Sequence, residues 1–288
     1  MLEYHDRPPY KPTRMHYSGH LHKMHSQLAD PVQYSLQFGD QTIDLTNAVG
    51  TQIHLCHSGA IHCIHCGRKT SKSFNQGYCY PCFRRLAQCD LCIVKPEQCH
   101  FDQGTCREPE WGQANCFQPH YVYLANASGI KVGITRASQI PTRWIDQGAS
   151  AALPIIRVQN RKHSGLIEVA FKQHVADKTQ WQKMLKGPAE PVDLPAARDQ
   201  LIERLMPELE NLATDHKLPA IDYLDDQSAT EIHYPVTEYP QTVRSLNLDK
   251  TPDIQGKLMG IKGQYLILDR GVINLRKFAG YEVSLDIG

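Results

Sequence analysis

The residues best able to do chemistry are ten cysteines, all between Cys56 and Cys116. Cys63-x2-Cys66 and Cys79-x2-Cys82 stand twelve residues apart. A CxxC turn sets two thiolates one tetrahedral edge apart, and two such turns complete a zinc site. Gly67, directly after Cys66, gives the backbone the freedom a knuckle needs to turn its amides toward sulfur. A third pair, Cys89-x2-Cys92, is followed by Cys99, Cys106 and Cys116. The expectation is a second zinc on Cys89, Cys92, Cys99 and Cys106. Cys116 or His100 could replace one member, and the two sets could exchange pairs in a crossed arrangement. Cys56 reads as a small buried hydrophobe. A disulfide framework would need an oxidising compartment, to which nothing else in the sequence points. Four thiolates leave no coordination position for water, so both zinc ions are expected to be structural. Their binding, roughly 10–16 kcal/mol in small modules, becomes folding energy for a segment poor in large apolar side chains.

A second group of reactive side chains lies in HYVYLANASGIKVGITR, His120 to Arg136. Its alternation reads as two short strands about a turn. A plain hairpin does not require that set of two tyrosines, a lysine, a glycine and a threonine. Fifteen histidines, several in the first 65 residues, offer further ligands. Scattered surface histidines are the simpler reading of them.

Holding these groups needs a folded chain of ordinary composition. The sequence has 288 residues, 41 % of them hydrophobic, with 31 basic against 30 acidic side chains. That length suits two domains or one large one. The balanced charge means that any affinity for nucleic acid must come from a local basic face, and "GRK" (Arg68, Lys69) and "RRL" (Arg84, Arg85) are candidates for it. No apolar run approaches the roughly 18 residues that cross a bilayer, and the N-terminus lacks the pattern of a secretory leader. The expectation is a cytoplasmic protein.

Strand patterns occur at both ends. Residues 16–58 and 256–288 alternate polar and apolar around glycine turns, and GQYLILDRGVINL reads as a hairpin turning at Asp269-Arg270-Gly271. Neither end has enough strands to stand alone, so the two are expected to pair. Residues 117–213 read as strand, strand, helix, strand, helix, helix. Pro141 suits the first turn of a short helix. Ser164 could cap the next, with Leu166, Val169, Ala170 and Val175 on its apolar face. Residues 214–255, rich in Pro and Asp, read as a return strap. The fold class is therefore α+β: a small antiparallel sheet flanked by helices, a zinc-knuckle segment, and a β domain from both termini. Its expected parts are 1–58, 59–116, 117–213, 214–255 and 256–288, the first and last forming the β domain.

Residues 117 to about 200 resemble the GIY-YIG nuclease superfamily, in its looser branch with "VY" and "KIG(I)T" motifs. Tyr121-Val122-Tyr123 stands at the first motif and Lys131-Val132-Gly133 at the second. Arg143 and Glu168 stand where that family places an arginine and a metal-holding glutamate on successive helices. The cysteine array beside such a core also resembles an uncharacterised bacterial family. The resemblance implies that Tyr123 orients or deprotonates an attacking water and that Glu168 holds one Mg²⁺ or Mn²⁺. It implies that Arg143 offers its planar fork to the scissile phosphate. Gly133 would admit the substrate backbone, while Thr135, Arg136 and Tyr121 would complete a phosphate-facing surface. Tyr121 replaces the first motif's glycine and Lys131 the second motif's tyrosine. Lys131 could add positive charge at the phosphate or lower the pKa of a neighbouring tyrosine. It could equally mark a core that binds nucleic acid without cutting it. Arg143 pairing with Asp146 at i+3, and Tyr123 as an ordinary strand residue, are the structural alternatives. His163 and His174 flank Glu168 in sequence. The expected activity is a zinc-stabilised endonuclease acting on DNA or RNA. A non-catalytic nucleic-acid-binding module and a protein-interaction scaffold are the alternatives.

Overall fold

Alternation of apolar and polar residues builds strands at both ends of the chain, and the computed structural model, which describes residues 15–175, 178–219 and 221–288, joins them. The first third holds β1 (Met15–His20), β2 (His25–Gln27), β3 (Gln33–Phe38), β4 (Gln41–Asp44), the long β5 (Gln52–His62), β6 (Lys69–Thr70) and helix α1 (Tyr80–Arg85). Short single turns lead to α2 (Pro109–Cys116). The centre runs β7 (His120–Asn126), β8 (Ile130–Arg136), α3 (Thr142–Asp146), β9 (Ala151–Val158) and α4 (Arg161–Lys172). Then come α5 (Trp181–Met184), α6 (Leu194–Asp215), β10 (Asp222–Tyr223) and β11 (Thr230–Glu231). The chain closes with β12 (Asp253–Lys262), β13 (Tyr265–Leu268), β14 (Gly271–Asn274) and β15 (Tyr281–Ile287).

The fold is α+β with antiparallel sheets. The terminal sheet runs β1-β15-β5-β12-β13-β14, with β6 on the far end of β5. Strand β15 has Tyr281, Val283, Leu285 and Ile287 buried in strict alternation, which fixes its inner face. Asp269 and Arg270 alone connect β13 to β14, and Leu268 pairs with Gly271, at the turn read from sequence. Three N-terminal strands depart from the expectation: β2, β3 and β4 make a separate three-stranded sheet, leaving only β1 and β5 to join the C-terminal strands. The boundary drawn at residue 58 falls inside β5, which runs unbroken from the terminal sheet into the cysteine-rich hairpin. The extreme N-terminal residues of the expected first part lie outside the described ones.

The central sheet has the order β8-β7-β9-β10, with β11 also on β9. One face belongs to an apolar core containing Val122, Leu124, Val132, Ile156 and residues of α4 and α6. The opposite face contributes Tyr123, Ala125 and Ala152 to a second core, shared with Trp144 and with terminal-sheet residues such as Leu258, Ile261 and Leu285.

Helix α4 begins differently from the sequence reading. Asn160 is its N-cap, accepting from the His163 N–H at 2.9 Å, while the Ser164 hydroxyl lies inside the helix and donates to the Arg161 carbonyl at 2.7 Å. Its buried face is Ile167, Ala170 and Phe171, and Val169 is exposed. The amphipathic stripe is thus turned from the expected one, because Phe171 rather than Leu166 fits under the sheet. The strap between α6 and β12 touches the terminal sheet through bridges Val236–Gly260 and Ser245–Val272.

Candidate functional site

The first cysteine set is assembled by two local structures. Cys63 and Cys66 sit at the turn between β5 and β6, where the Gly67 N–H donates to the Cys63 carbonyl and Cys63 N–H to the Arg68 carbonyl, both 2.9 Å. Gly67 has φ +69°, the left-handed turn that glycine makes without strain. Cys79 is the N-cap of α1 and Cys82 lies in its first turn, with Pro81 between them. The sulfurs of Cys63, Cys66, Cys79 and Cys82 all lie within 4.8 Å of one another, close enough to hold one metal ion. Burial raises the Cys63 thiol, yet N–H groups of Cys79, Cys66 and His65 outweigh it and draw it down to about 6. Burial and the neighbouring thiols push Cys82 up to about 12. The donor set and spacing suit structural zinc: four sulfurs, no position left for water, and amides turned toward thiolate.

The later cysteines do not gather in the same way around Cys89. Cys89 is buried beside Cys63, Cys79, Cys82 and Leu86, in the small core of the first set, not among the later cysteines. Cys92 neighbours Cys99, and Cys116 lies within electrostatic reach of Cys99 and Cys106. Cys99 and Cys116 line one cavity of about 140 Å³ together with Asp102, His163 and Leu166. The ligand atoms of Asp90 and His100 also lie within 4.8 Å of the Cys92 sulfur and of each other.

The central hairpin gathers the second group of residues on one sheet face. Tyr121 pairs with Thr135, Tyr123 with Gly133 and Ala125 with Lys131, so these side chains line up across β7 and β8. Tyr123 is fully buried and its hydroxyl donates to Oε1 of Gln147 at 2.8 Å. The same oxygen accepts from Nζ of Lys131 at 2.7 Å, and Nζ also donates to Oγ1 of Thr179 at 2.7 Å. Gly133 is required by this packing: a Cβ there would stand 2.6 Å from the Tyr123 oxygen. The ring of Trp144 meets Tyr123 edge-on, with centroids 6.0 Å apart.

Arg143 and Glu168 both act on this phenol. Burial raises the Tyr123 pKa, the adjacent Arg143 guanidinium opposes it, and the Glu168 carboxylate adds to the rise. The net direction is upward, so Tyr123 is a protonated hydrogen-bond donor at neutral pH. Glu168 is 9 % exposed and pairs with Lys172 at 3.2 Å. Asp146 is not Arg143's partner: Lys23 at 3.1 Å and Gln264 at 2.8 Å hold its two oxygens, pinning α3 to the terminal sheet. Thr135 donates to the Arg136 carbonyl, Arg136 reaches Asn115 of α2, and Tyr121 is half-buried. His174 is exposed after the end of α4. Sequence reasoning missed Gln147, the acceptor that ties Tyr123 to Lys131. Its only signal is a polar residue just after α3 on a segment otherwise read as helix end.

A separate surface lies on the cysteine hairpin. Between Leu45 and Cys89 there is no acidic residue, whereas Arg68, Lys69, Lys72, Arg84 and Arg85 are all exposed. Phe74, Tyr80 and Phe83 form an aromatic group with Phe74 5.4 Å from Tyr80 and 5.7 Å from Phe83, and the Lys72 ammonium stands 5.4 Å over the Phe74 ring. Tyr80 is 54 % exposed, a flat ring presented to solvent among cations. No helix among the described residues is long and apolar enough to cross a membrane.

Comparison with known proteins finds one family model, that of a protein of unknown function (DUF2797), which matches residues 50–283. No curated protein and no solved structure matches the chain.

Proposed function

The chain belongs to the DUF2797 family, whose function is unknown, and we propose that it is a zinc-stabilised nucleic-acid-binding protein. The observation that carries this reading is the zinc hairpin's surface: five exposed cations, no carboxylate from Leu45 to Cys89, and Tyr80 open beside them. Cations neutralise phosphates whatever the sequence, and an exposed ring stacks on any base, at about 1–3 kcal/mol per stacked base. With the whole chain near zero net charge, such attraction has to come from a local basic face such as this one. Zinc on Cys63, Cys66, Cys79 and Cys82 holds the cations in place. Among the described residues Cys92 stands within 4.8 Å of ligand atoms of Asp90 and His100, and a second structural zinc would use that group.

A second reading, a GIY-YIG-like endonuclease, is favoured by one specific observation. Tyr123, Gly133, Arg143 and Glu168 converge on one phenol from β7, β8, α3 and α4. In that reading Glu168 would hold Mg²⁺ or Mn²⁺, Arg143 would meet the scissile phosphate, and Lys131 would add charge where the second tyrosine is missing. Burial counts against it. Tyr123 is 0 % and Lys131 3 % exposed, so cutting requires the terminal sheet to move off this face.

The test is binding of fluorescent DNA and RNA, single- and double-stranded, to the zinc-loaded protein over a salt series. Salt-sensitive binding that weakens at least ~10-fold in Arg84→Glu/Arg85→Glu, with a shallower salt slope, supports the reading. No binding at low salt overturns it and leaves a protein-interaction scaffold. Adding Mg²⁺ or Mn²⁺ separates the second reading: cleavage that disappears in Glu168→Gln makes the protein a nuclease.

A further inference from the structure

Strand β5 turns Ile53 and Leu55 into the terminal core and so turns His54 and Cys56 to the other face. Cys56 is therefore not the buried hydrophobe read from the sequence. It is half-exposed, and its register partner on the neighbouring strand is Asp253. The ligand atoms of His54, Cys56 and Asp253 all lie within 4.8 Å of one another, with Nε2 of His54 3.0 Å from Oδ2 of Asp253. The other ring nitrogen of His54 faces Asp286 on β15, with Nδ1 3.4 Å from Oδ2. The remaining oxygen of Asp286 is held by Nδ1 of His16 at 2.6 Å.

Cross-strand histidine–aspartate pairs alone would account for His54, Asp253, Asp286 and His16. Such exposed pairs contribute about 0–1 kcal/mol and need no thiol. A thiol within 4.8 Å of the same imidazole and carboxylate adds a soft donor that a structural pair has no use for. The Asp286 carboxylate supplies the outer contact that fixes a ligating imidazole, because Nδ1–H donated to a carboxylate leaves the Nε2 lone pair for a metal.

We propose that His54, Cys56 and Asp253 bind a divalent transition ion of the zinc class on the open face of the terminal sheet. One thiolate and one carboxylate exactly offset the charge of a 2+ ion. Three protein donors leave the fourth tetrahedral position to water or to a small ligand, unlike the four-cysteine site. Nitrogen, sulfur and oxygen together select zinc, cobalt or nickel over magnesium and calcium, which prefer oxygen alone. Asp286 is a positioning residue: it touches the imidazole, not the ion.

The zinc-loaded protein, desalted and then given Zn²⁺ or Co²⁺, tests the site. Peptide mapping should show Cys56 protected from alkylation by Zn²⁺ and not by Mg²⁺. Metal analysis should find about one more equivalent per chain in the wild type than in His54→Ala or Cys56→Ser. Asp286→Asn should weaken this binding by ~10–100-fold while leaving the tightly held zinc in place. Alkylation of Cys56 at the same rate with and without Zn²⁺ overturns the proposal, and this readout on the wild type does not depend on any variant folding. Nucleic-acid binding plays no part in it.

Discussion

The hydroxyl of Tyr123 and the ammonium of Lys131 share one acceptor, Oε1 of Gln147, at 2.8 and 2.7 Å. A residue from each of two strands and a third from the turn after α3 are thereby joined under the terminal sheet. Gln147→Leu leaves the buried phenol proton without its acceptor and removes one of the lysine's. We expect it to cost about 2–4 kcal/mol in urea unfolding, because a buried donor left unmade loses its full desolvation energy. Tyr123→Phe removes donor and bond together and should cost only about 1 kcal/mol. Equal costs for the two would show that Gln147 is not the tie.

Gly133→Ala puts a methyl group 2.6 Å from the Tyr123 oxygen and 2.7 Å from Cζ. Overpacking of this kind costs about 1–3 kcal/mol. The cost should largely vanish on a Tyr123→Leu background, so a double-mutant cycle should give a coupling of about 1 kcal/mol or more. Additive effects would mean that the ring does not lie across the glycine.

His120 is 0 % exposed, and Nδ1 donates to the Gln118 carbonyl at 2.8 Å. That bond places the proton on Nδ1 and leaves a buried Nε2. Burial first, then Arg161 and Arg136, depress its pKa to about 4. The unfolded imidazole titrates near about 6.5. Between these values the unfolded chain holds the extra proton, so stability rises with pH from 4 to 6.5 and is lost on acidification. The full span is of order 3 kcal/mol. His120→Gln should flatten that part of the profile, as measured by the difference in urea midpoint from wild type at a pH above and one below the window.

Removing zinc should melt the hairpin segment before the sheets. Its own core is little more than Cys63, Cys79, Cys82, Cys89 and Leu86, with Tyr78 and Phe83 against them. Near-ultraviolet circular dichroism from the Phe74, Tyr80 and Phe83 group should collapse with a chelator, while far-ultraviolet strand signal persists. Cys79→Ser should behave like chelation. An unchanged aromatic signal after zinc is shown to be gone would refute the dependence.

Local pattern told much of this architecture. The two-residue period of β15 and the Asp269–Arg270 turn follow directly from alternation, and the CxxC spacing places four sulfurs together. Pairing of the two chain ends follows from the insufficiency of each. What the sequence could not show depends on neighbours far along the chain. The stripe of α4 depends on which side chains fit beneath the central sheet, and Phe171 wins over Leu166. Cys56 lies outward because Ile53 and Leu55 lie inward, a parity fixed only once β5 has its partners. Cys89 joins the core of the first cysteine set, since the turns after α1 keep it near Leu86. Gln147 carries no motif, and only the closure of β7 onto β8 above α3 brings it to both Tyr123 and Lys131.

The terminal sheet also orders events during synthesis. Both long partners of β5, β12 and β15, are made nearly 200 and more than 220 residues after it. The cysteine hairpin and the β7–β8 pair need only near neighbours and can form while the ribosome is still working. Until those partners arrive, the apolar side of β5 and the Tyr123 face lack the part of their shared core that Leu258, Ile261, Val283 and Leu285 supply. A nascent chain therefore exposes the unpaired edges of β5 until β12 and β15 have been made, the interval in which chaperone binding or aggregation would claim it.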